Sequence, residues 1–194
     1  MDHHLTIPEN VLWASYTAWF LMEFWVISRD RRRFSGRTAD RGSFFGFFIA
    51  IPLALVIAFN AVFKLPQLHI AVGQPALSWL GIVMIWGGMA FRLWAILTLG
   101  AFFRTSVVVQ EGHQLVTAGP YRWLRHPAYT GTIITLVGLG LALGNWLSLV
   151  SMAILPTLAI AWRMHVEERA LPEQFGEAYR DFRETRSAVL PVIW

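Results

Sequence analysis

A polar stretch between two apolar segments carries the side chains best suited to chemistry. It runs from His113 to Tyr129 and reads HQLVTAGPYRWLRHPAY. Histidine exchanges a proton near neutral pH, and arginine presents a planar fork of donors that matches carboxylates. A simpler interpretation is a loop whose arginines Arg122 and Arg125 fix membrane topology. That leaves the histidines, the tyrosines and the Gly-Pro-Tyr turn unexplained, so we interpret the stretch as half of an active site.

The spacing within this stretch predicts which side chains are neighbours. If the segment around Tyr121 is helical, Tyr121 and Arg125 lie one turn apart, and His126 and Tyr129 also share a face. Pro127 is expected at the first position of a helix. Backbone N–H groups near that helix start are expected to be open to a polar ligand.

A second polar stretch, from Arg163 to Phe182, is the other half in this interpretation. Arg163 and Glu167 lie four residues apart, so on a helix they share one face. The alternative is an ordinary surface ion pair, which contributes little to stability. Because Arg precedes Glu, the weaker order for supporting a helix, the pair favours roles with separate ligands.

Two other kinds of site receive less support from the spacing. Zinc binding would draw on His113, His126, His165 and Glu167, none of which shows the tight H-x-x-x-H spacing of zinc enzymes. The run GLGLALG, which begins at Gly138, lies inside an apolar segment and lacks the glycine spacing of a nucleotide-binding loop. We therefore predict no metal site, and helix packing for the glycines.

The composition places both polar stretches in a membrane protein. The chain of 194 residues is 56% hydrophobic and 14% charged, with 10 Trp and 14 Phe, which suit a lipid-facing surface with interfacial aromatic residues. The net charge of +4 comes from basic residues beside apolar segments, which favours lipid headgroups and topology over nucleic acid. The absence of Cys excludes disulfides and a cysteine nucleophile.

Five apolar segments are long enough to suggest membrane spans, each of which needs roughly 20 residues. The first lacks the basic start and cleavage site of a signal peptide, so we expect it to be retained. Pro52 is expected to kink the second. The predicted spans are Val11 to Ile27, Phe44 to Phe63, Ala76 to Leu99, Tyr129 to Leu143 and Trp146 to Trp162.

The distribution of arginines predicts the orientation. Six lie between Ser28 and Arg41, whereas Lys64 to Pro75 contains one Lys and no Arg. Under the positive-inside rule, the N-terminus is outside and the C-terminus and both polar stretches are cytoplasmic. Within the cytoplasmic segment from Gly100 to Arg125, residues 106–109 are β-branched and expected to be extended, and Glu111-Gly112 is a plausible turn.

The last two spans are expected to form a tight antiparallel hairpin, because only Gly144 and Asn145 separate them. Gly140 and Gly144, together with Gly131 and Thr135, are expected to let these two helices approach closely.

Two charges fall inside the predicted spans. We expect Glu23 to reach the membrane interface rather than face a partner, and Arg92 to reach either the interface or the site.

The C-terminal stretch has an apolar stripe of Leu171, Phe175, Tyr179 and Phe182, which predicts an amphipathic interfacial helix. The opposite face carries Glu173, Glu177, Arg180, Asp181 and Glu184. Pro172 is expected in a first helical turn or at a break. The fold prediction is an all-α integral membrane bundle of about five transmembrane helices, with a C-terminal helical hairpin and a cytosolic amphipathic helix. We treat 1–194 as one domain, with three spans in 1–99 and the cofactor-binding part in 100–194.

Two long motifs, in order around the hairpin, resemble the isoprenylcysteine carboxyl methyltransferase family. The first is H-x-L-V-x-x-G-x-Y-x-x-x-R-H-P-x-Y-x-G, from His113 to Gly131. The second is R-x-x-x-E-E-x-x-L-x-x-x-F-G-x-x-Y-x-x-F, from Arg163 to Phe182. Phospholipid methyltransferases share much of this pattern. The first 100 residues match only as hydrophobic spans.

The resemblance implies that S-adenosylmethionine binds between the cytosolic loops and the membrane, and that a lipophilic acceptor enters from the bilayer. By position, Arg163 orients the acceptor carboxylate and forms the catalytic pair with Glu167. The residues implied to hold the cofactor, or its product S-adenosylhomocysteine, are Gln110, His113, Gln114, Leu115, Val116, Tyr121, His126, Pro127, Ala128, Tyr129 and Glu167.

This sequence departs from the family pattern in two places. His165 and Val166 stand where Pro-Glu commonly precedes the paired glutamates, and Pro172 enters the following helix. We expect local adjustment of the backbone rather than loss of the site.

Methyl transfer from a sulfonium to an ionised carboxylate needs alignment and exclusion of water more than acid–base help. Alignment alone can lower a barrier by up to about 7–11 kcal/mol. Tyr121, Tyr129 and Trp123 offer aromatic surface to adenine or to the sulfonium. The acceptor implied by the resemblance is the carboxylate of a prenylated cysteine, with membrane lipids as surroundings.

Three alternatives remain open at this point. An amine or thiol acceptor, as in phospholipid methylation, would need a base, for which His126, His165 and Glu168 are the candidates. Sterol reductases share a similar C-terminal architecture, so an NADPH-dependent membrane reductase is a second alternative. A non-catalytic membrane scaffold is the third.

Overall fold

A computed structural model describes residues 8–31, 37–38, 43–103, 108–109 and 115–189 of the chain. Helices dominate these residues, and the two strands contain two residues each. The helices are α1 (Glu9–Arg31), α2 (Ser43–Lys64), α3 (Ala76–Leu99), α4 (Pro127–Ala142), α5 (Trp146–Phe175) and α6 (Glu177–Glu184), and the strands are β1 (Arg37–Thr38) and β2 (Val108–Val109). The predicted helical class is confirmed, while the division into 1–99 and 100–194 stays a prediction.

Three of these helices are long and apolar enough to cross a bilayer. The qualifying segments are Glu9–Arg29, Ala76–Phe102 and Trp146–Glu173, with shorter apolar helices at Phe48–Lys64 and Pro127–Ala142. A helix rises about 1.5 Å per residue, so segments of this length span the hydrocarbon layer. The chain is a multi-pass membrane protein, with its five apolar helices where the sequence predicts them.

Glycines bring α3 and α4 into backbone contact. A Cβ added at Gly88 would lie 2.7 Å from the backbone nitrogen of Thr135, and one added at Gly131 would lie 2.7 Å from the backbone nitrogen of Arg92. Such distances are far below normal contact, so these positions accept only glycine. Small residues let membrane helices pack closely where apolar side chains gain nothing by leaving lipid.

The predicted role of Gly131 and Thr135 in the α4–α5 hairpin is wrong, because both face α3. The role of Gly140 is confirmed, since a Cβ there would lie 2.8 Å from the Cα of Leu149 on α5. Gly131 and Gly140 are nine residues apart, which is about two and a half helical turns. They therefore lie on opposite sides of α4, and each serves a different neighbour.

Different chain segments pair with each other at the two ends of the helical bundle. At one end β1 pairs with β2 antiparallel, and Leu124 pairs with Ser187. The three arginine-rich segments, which are residues 28–41, 100–125 and 163–187, therefore meet there. At the other end His69 pairs with Asn145. The extended conformation predicted for residues 106–109 is confirmed at Val108–Val109, while residues 106–107 and the predicted turn at Glu111-Gly112 lie outside the described residues.

The fifth helix does not end at Trp162, as the sequence predicted, but continues to Phe175. Residues 157–171 contain no glycine or proline, so nothing in that segment stops the helix. Pro172 lies inside its last turns rather than in a first turn, and the break comes at Gly176, which has φ 59°. Glycine adopts this conformation without the steric cost of a Cβ.

The amphipathic character of the C-terminal stretch is confirmed. Tyr179 and Phe182 are buried in an apolar cluster against which Leu171 and Phe175 pack. The charged residues of the opposite face are exposed. α6 therefore covers the end of the bundle where the polar stretches meet.

Candidate active site

Tyr129 connects the two polar stretches. Its hydroxyl donates to Glu167 Oε1 at 2.5 Å and accepts from Arg163 Nε at 2.6 Å. Arg163 Nε also lies 3.3 Å from Glu167 Oε1, so the i,i+4 pair exists, but it is buried rather than on the surface. Arg163 is only 3% exposed. The first turn of α4 and the last turns of α5 thus meet at a buried charged group.

His126 lies between the two consecutive glutamates of α5. Its Nε2 is 2.8 Å from Glu168 Oε1, and its Nδ1 is 3.5 Å from Glu167 Oε2. Successive residues on a helix point about 100° apart, which allows the glutamates to reach either side of one ring. The His126 ring also stacks on Tyr129, with centroids 5.7 Å apart. The predicted proximity of His126 and Tyr129 is confirmed.

Glu168 also lies close to two arginines that belong to neither α4 nor α5. Arg125 Nε lies 3.1 Å from Oε1, and Arg183 Nε on α6 lies 3.3 Å from Oε2. Arg125 also donates to the backbone oxygen of Arg183 at 2.8 Å. Glu168 therefore fixes α6 and the loop before α4 to α5, a role that sequence reasoning missed.

Tyr179, on α6, lies close to the same carboxylate. Burial raises the pKa of the Tyr179 phenol well above its usual value, and the charge of Glu168 raises the pKa further. The folded protein therefore keeps this proton at pH values where a free tyrosine begins to lose it.

Tyr121 occupies a neighbouring apolar cluster rather than the face of a helix that includes Arg125. A short 3-10 turn at Gly119–Arg122 ends before Arg125, so the predicted one-turn spacing of Tyr121 and Arg125 is wrong. Tyr121 is buried in a cluster that includes Ala128, with Leu115 and Val116 packed against it. Burial raises the pKa of Tyr121, and the Glu167 carboxylate raises it further, while Arg92 acts in the opposite direction.

Several backbone N–H groups near the start of α4 are occupied, so the prediction that they are open to a ligand is wrong for Arg125, His126 and Tyr129. Arg125 N donates to Ser187 O at 2.9 Å, and His126 N donates to Ala188 O at 2.9 Å. Within the first turn, Tyr129 N donates to His126 O at 3.0 Å. The segment after α6 folds back along the motif and satisfies these groups. Pro127 does begin α4, as predicted.

Other predicted residues lie away from this cluster or outside the description. Trp123 is 54% exposed and packs edge-on against Trp94, with the Arg122 guanidinium 5.3 Å from its ring. His165 is exposed on α5. Gln110, His113 and Gln114 lie outside the described residues, so their part in the site stays a prediction.

Glu23 and the buried Arg92 form an ion pair that sequence reasoning missed. Arg92 Nε and Nη2 donate to the two oxygens of Glu23 at 2.7 and 2.9 Å. The expectation that Glu23 reaches the membrane interface is wrong, because Arg92 is 5% exposed and holds the carboxylate within the bundle. The sequence does show two opposite charges inside predicted spans, which is a signal for an ion pair. Their separation of 69 residues, however, carries no helical periodicity that would identify them as partners.

The comparison with protein families decides the resemblance. Residues 79–173 match the model of the isoprenylcysteine carboxyl methyltransferase (ICMT) family. The match covers just under half of the chain, and this segment is similar to the ICMT family. It contains Arg92, all of α4 and the Arg163–Glu168 part of α5, so the contacts among His126, Tyr129, Arg163, Glu167 and Glu168 lie within it. The family resemblance drawn from the two motifs is confirmed.

Several curated proteins are similar to part of the chain. Protein-S-isoprenylcysteine O-methyltransferase A of Arabidopsis thaliana is 36% identical over 115 residues, which is 58% of this chain and 58% of that protein. The Xenopus laevis enzyme of that name is 34% identical over 60% of this chain and 41% of its own length. The uncharacterized protein YpbQ of Bacillus subtilis is 33% identical over 52% of this chain and 60% of its own.

A solved structure extends the likeness into the N-terminal half. The eukaryotic intramembrane Ras methyltransferase ICMT matches 76% of this chain with a TM-score of 0.64 and 30% identity, and the match covers 52% of that protein. The chain thus spans between 41% and 60% of the lengths of these three curated relatives. The ICMT likeness includes the fold as well as the motifs.

Proposed function

We propose that the protein is an S-adenosylmethionine-dependent methyltransferase whose acceptor is the carboxylate of a lipophilic acid, foremost a prenylated cysteine. The observation that carries the proposal is the buried meeting of Arg163, Tyr129 and Glu167, inside the segment that matches the ICMT family. Arg163 is a cation suited to a carboxylate, and Glu167 is an anion suited to a cationic methyl donor. Both are held by one tyrosine.

The residues present fit the methyl donor. S-adenosylmethionine supplies, when bound, a methyl group on a positively charged sulfur, together with an ammonium, ribose hydroxyls and adenine. Glu167 is the carboxylate that would accept hydrogen bonds from an ammonium or from hydroxyls. Leu115, Val116 and the buried Tyr121 form an apolar wall beside Ala128. His126, Pro127 and Tyr129 complete the set, with Gln110, His113 and Gln114 proposed from the motif.

Arg163 is the residue proposed to orient the acceptor. Its guanidinium is charged at any physiological pH, and its planar fork matches a carboxylate. The Tyr129 hydroxyl at 2.6 Å restricts the orientation of that fork. An ionised carboxylate is already nucleophilic, so this chain has to align it and exclude water rather than remove a proton.

An apolar row on α5 leads from lipid to Arg163. Val150, Ile154, Leu158 and Trp162 recur every four residues and are each 46–62% exposed. Such a row faces one direction on a helix. We assign it to the hydrocarbon tail of the acceptor, whose carboxylate would turn from this exposed row toward the buried Arg163, the next residue along α5. With all three arginine-rich segments at this end, the site is proposed to face the cytoplasm and the N-terminus the outside.

The test uses the purified full chain in lipid nanodiscs. S-Adenosylhomocysteine binding is measured by calorimetry, followed by transfer of a radiolabelled methyl group to an S-farnesylcysteine acid. The expected product is an ester that releases labelled methanol in alkali. The matched acceptor is the same molecule with its carboxylate converted to an amide, which should accept no label. Labelling of the amide, or alkali-stable label, would contradict a carboxylate acceptor.

The His126–Glu168 pair is the observation that favours the other acceptor class. A histidine oriented by a carboxylate is a common general base, and amine or thiol acceptors need one. Phosphatidylethanolamine vesicles and a lipophilic thiol therefore belong in the same assay, with alkali-stable label as the readout. Binding of NADPH instead of S-adenosylhomocysteine would favour a reductase, and binding of neither by folded protein would favour a scaffold.

A further inference from the structure

Arg92, on α3, contacts the motif from His126 to Tyr129 that is proposed to bind the cofactor. The contact between Gly131 and the backbone of Arg92 places this arginine directly below the first turn of α4. From there Arg92 Nη1 donates to the backbone oxygen of Ala128 at 3.2 Å. Ala128 stands between His126 and Tyr129, the two residues that contact the glutamates of α5. Arg92 therefore fixes the backbone at the centre of the motif.

Glu23 holds Arg92 in that orientation. Its carboxylate receives two parallel hydrogen bonds from the guanidinium, at 2.7 and 2.9 Å. A bidentate pair of this kind sets the plane of the fork as well as its position. The third nitrogen is then directed at Ala128 O. Because the side chains are 7% and 18% exposed, water competes little for these bonds.

The pair makes α1 part of the site, although α1 lies outside the segment that matches the ICMT family. Val26, one helical turn from Glu23, is 1% exposed and packs in the same cluster as Tyr121. The charge of Arg92 also acts on Tyr121 directly. α1 thus supplies Val26 to the apolar cluster that contains Tyr121, and Glu23 to Arg92, which in turn bonds to Ala128 O.

We infer that Arg92 is a positioning residue for the methyl-donor site, oriented by Glu23, so that α1 sets the affinity of the motif from His126 to Tyr129. This inference rests on the proposed function for the identity of the ligand. The placement of the backbone itself does not depend on that identity, which allows the two to be tested separately.

The experiment compares Glu23→Gln and Arg92→Lys with the unmodified chain in nanodiscs. Glu23→Gln keeps the shape but loses the charge, and Arg92→Lys keeps the charge but loses the fork. Both should weaken S-adenosylhomocysteine binding about tenfold or more. Both should also raise hydrogen–deuterium exchange in the peptide covering residues 124–131, where Tyr129 N and Thr130 N bond to His126 O.

Ser148→Ala is the matched control for a purely structural effect. It removes another buried interhelical bond, from Ser148 Oγ to Ala58 O at 2.7 Å, far along α5 from the site. It should leave both readouts unchanged, whatever its effect on thermal stability. The inference is overturned if Ser148→Ala raises exchange in 124–131 equally, or if either readout is unchanged in both site variants.

The two proposals fail differently. If the unmodified protein binds no S-adenosylhomocysteine, the proposed function is wrong, and the exchange of residues 124–131 alone decides whether Arg92 positions the motif. If the unmodified protein binds and Glu23→Gln binds equally well with unchanged exchange, the function stands and the role of α1 is wrong.

Discussion

The two ends of the α4–α5 hairpin are held together in opposite ways. At the turn, Asn145 is 2% exposed, and its amide group bonds only to backbone. Its Nδ2 donates to Leu65 O at 3.1 Å and to Ala61 O at 3.3 Å, while its Oδ1 accepts from Leu147 N at 2.9 Å. At the other end, Tyr129 of α4 and His126 just before it bond to the charged side chains of α5, which are Arg163, Glu167 and Glu168.

The difference suggests that the Asn145 end of the hairpin serves stability and that the charged end serves binding. A neutral side chain bonded to backbone contributes to folding and offers no charge to a ligand. A cluster of Arg163, Glu167 and His126 costs desolvation free energy, and replacing such groups by apolar ones is often neutral or stabilising. Charged groups retained at one end of the hairpin therefore indicate a use beyond holding helices together. The predictions below test this separation, from the largest effect to the smallest.

Glu167→Gln should have the largest effect on binding. The amide keeps the volume of the side chain but loses the negative charge next to Arg163 and Tyr129. We expect S-adenosylhomocysteine affinity to fall at least 100-fold, about 2.7 kcal/mol, by calorimetry. Glu173→Gln, an exposed position on the same helix, is the control and should bind normally. Normal binding by Glu167→Gln would remove the main support for the site.

Asn145→Ala should lower stability and leave binding nearly unchanged, the reverse of Glu167→Gln. It removes the N-terminal cap of α5 and both bonds to the end of α2, so we expect a loss of about 2 kcal/mol in the free energy of unfolding. Denaturant titration in detergent measures this loss. S-Adenosylhomocysteine affinity at a temperature where the variant is folded should change less than about twofold. An equal loss of affinity would mean that the two ends are not separate.

Gly88→Ala and Gly87→Ala sharpen the comparison along the length of the bundle. A methyl group at Gly88 collides with α4, whereas a methyl group at Gly87 has nothing within 4 Å. Gly88→Ala should cost about 1–3 kcal/mol of stability, and Gly87→Ala should be neutral or stabilising by up to about 1 kcal/mol. Thermal midpoints of the pair test this, and equal midpoints would contradict the backbone contact between α3 and α4.

Most of the fold was predictable because the length of an apolar segment is a local property. The third span was predicted at Ala76 to Leu99, the bounds that α3 has. The second was predicted within one residue at each end. The end of α5 was not, because an amphipathic segment continues a helix as readily as it begins one. Only the positive φ at Gly176 marks the break.

The site was predictable as residues but not as contacts. Tyr129, Arg163 and Glu167 were selected by motif and spacing, and they meet. The pairing of His126 with Glu168 joins residues 42 apart, and that of Glu23 with Arg92 joins residues 69 apart. Such pairs depend on how each helix is rotated about its axis. For α3 and α4, the packing of Gly88 and Gly131 constrains that rotation. Spacing along one chain segment carries no information about that rotation.

The smallest effect concerns pH and the charged end of the hairpin. Burial and the Glu168 carboxylate raise the pKa of Tyr179 above the value of 10.0 that it has when unfolded. Above pH 10 the unfolded chain loses this proton while the folded protein keeps it, so stability falls as pH rises, by at most about 1.4 kcal/mol per pH unit for one group. Below pH 10 both states are protonated, and the contribution is constant.

Tyr179→Phe isolates this contribution. The variant cannot ionise at this position, so its loss of stability between pH 9 and pH 11 should be smaller than that of the unmodified protein, by about 1 kcal/mol at pH 11. Unfolding free energies at both pH values measure the difference, and the pH 9 values correct for any change in packing. The same dependence in both proteins would mean that Tyr179 ionises freely when folded. Glu168 and the burial around it would then not set the charge state at this end of the hairpin.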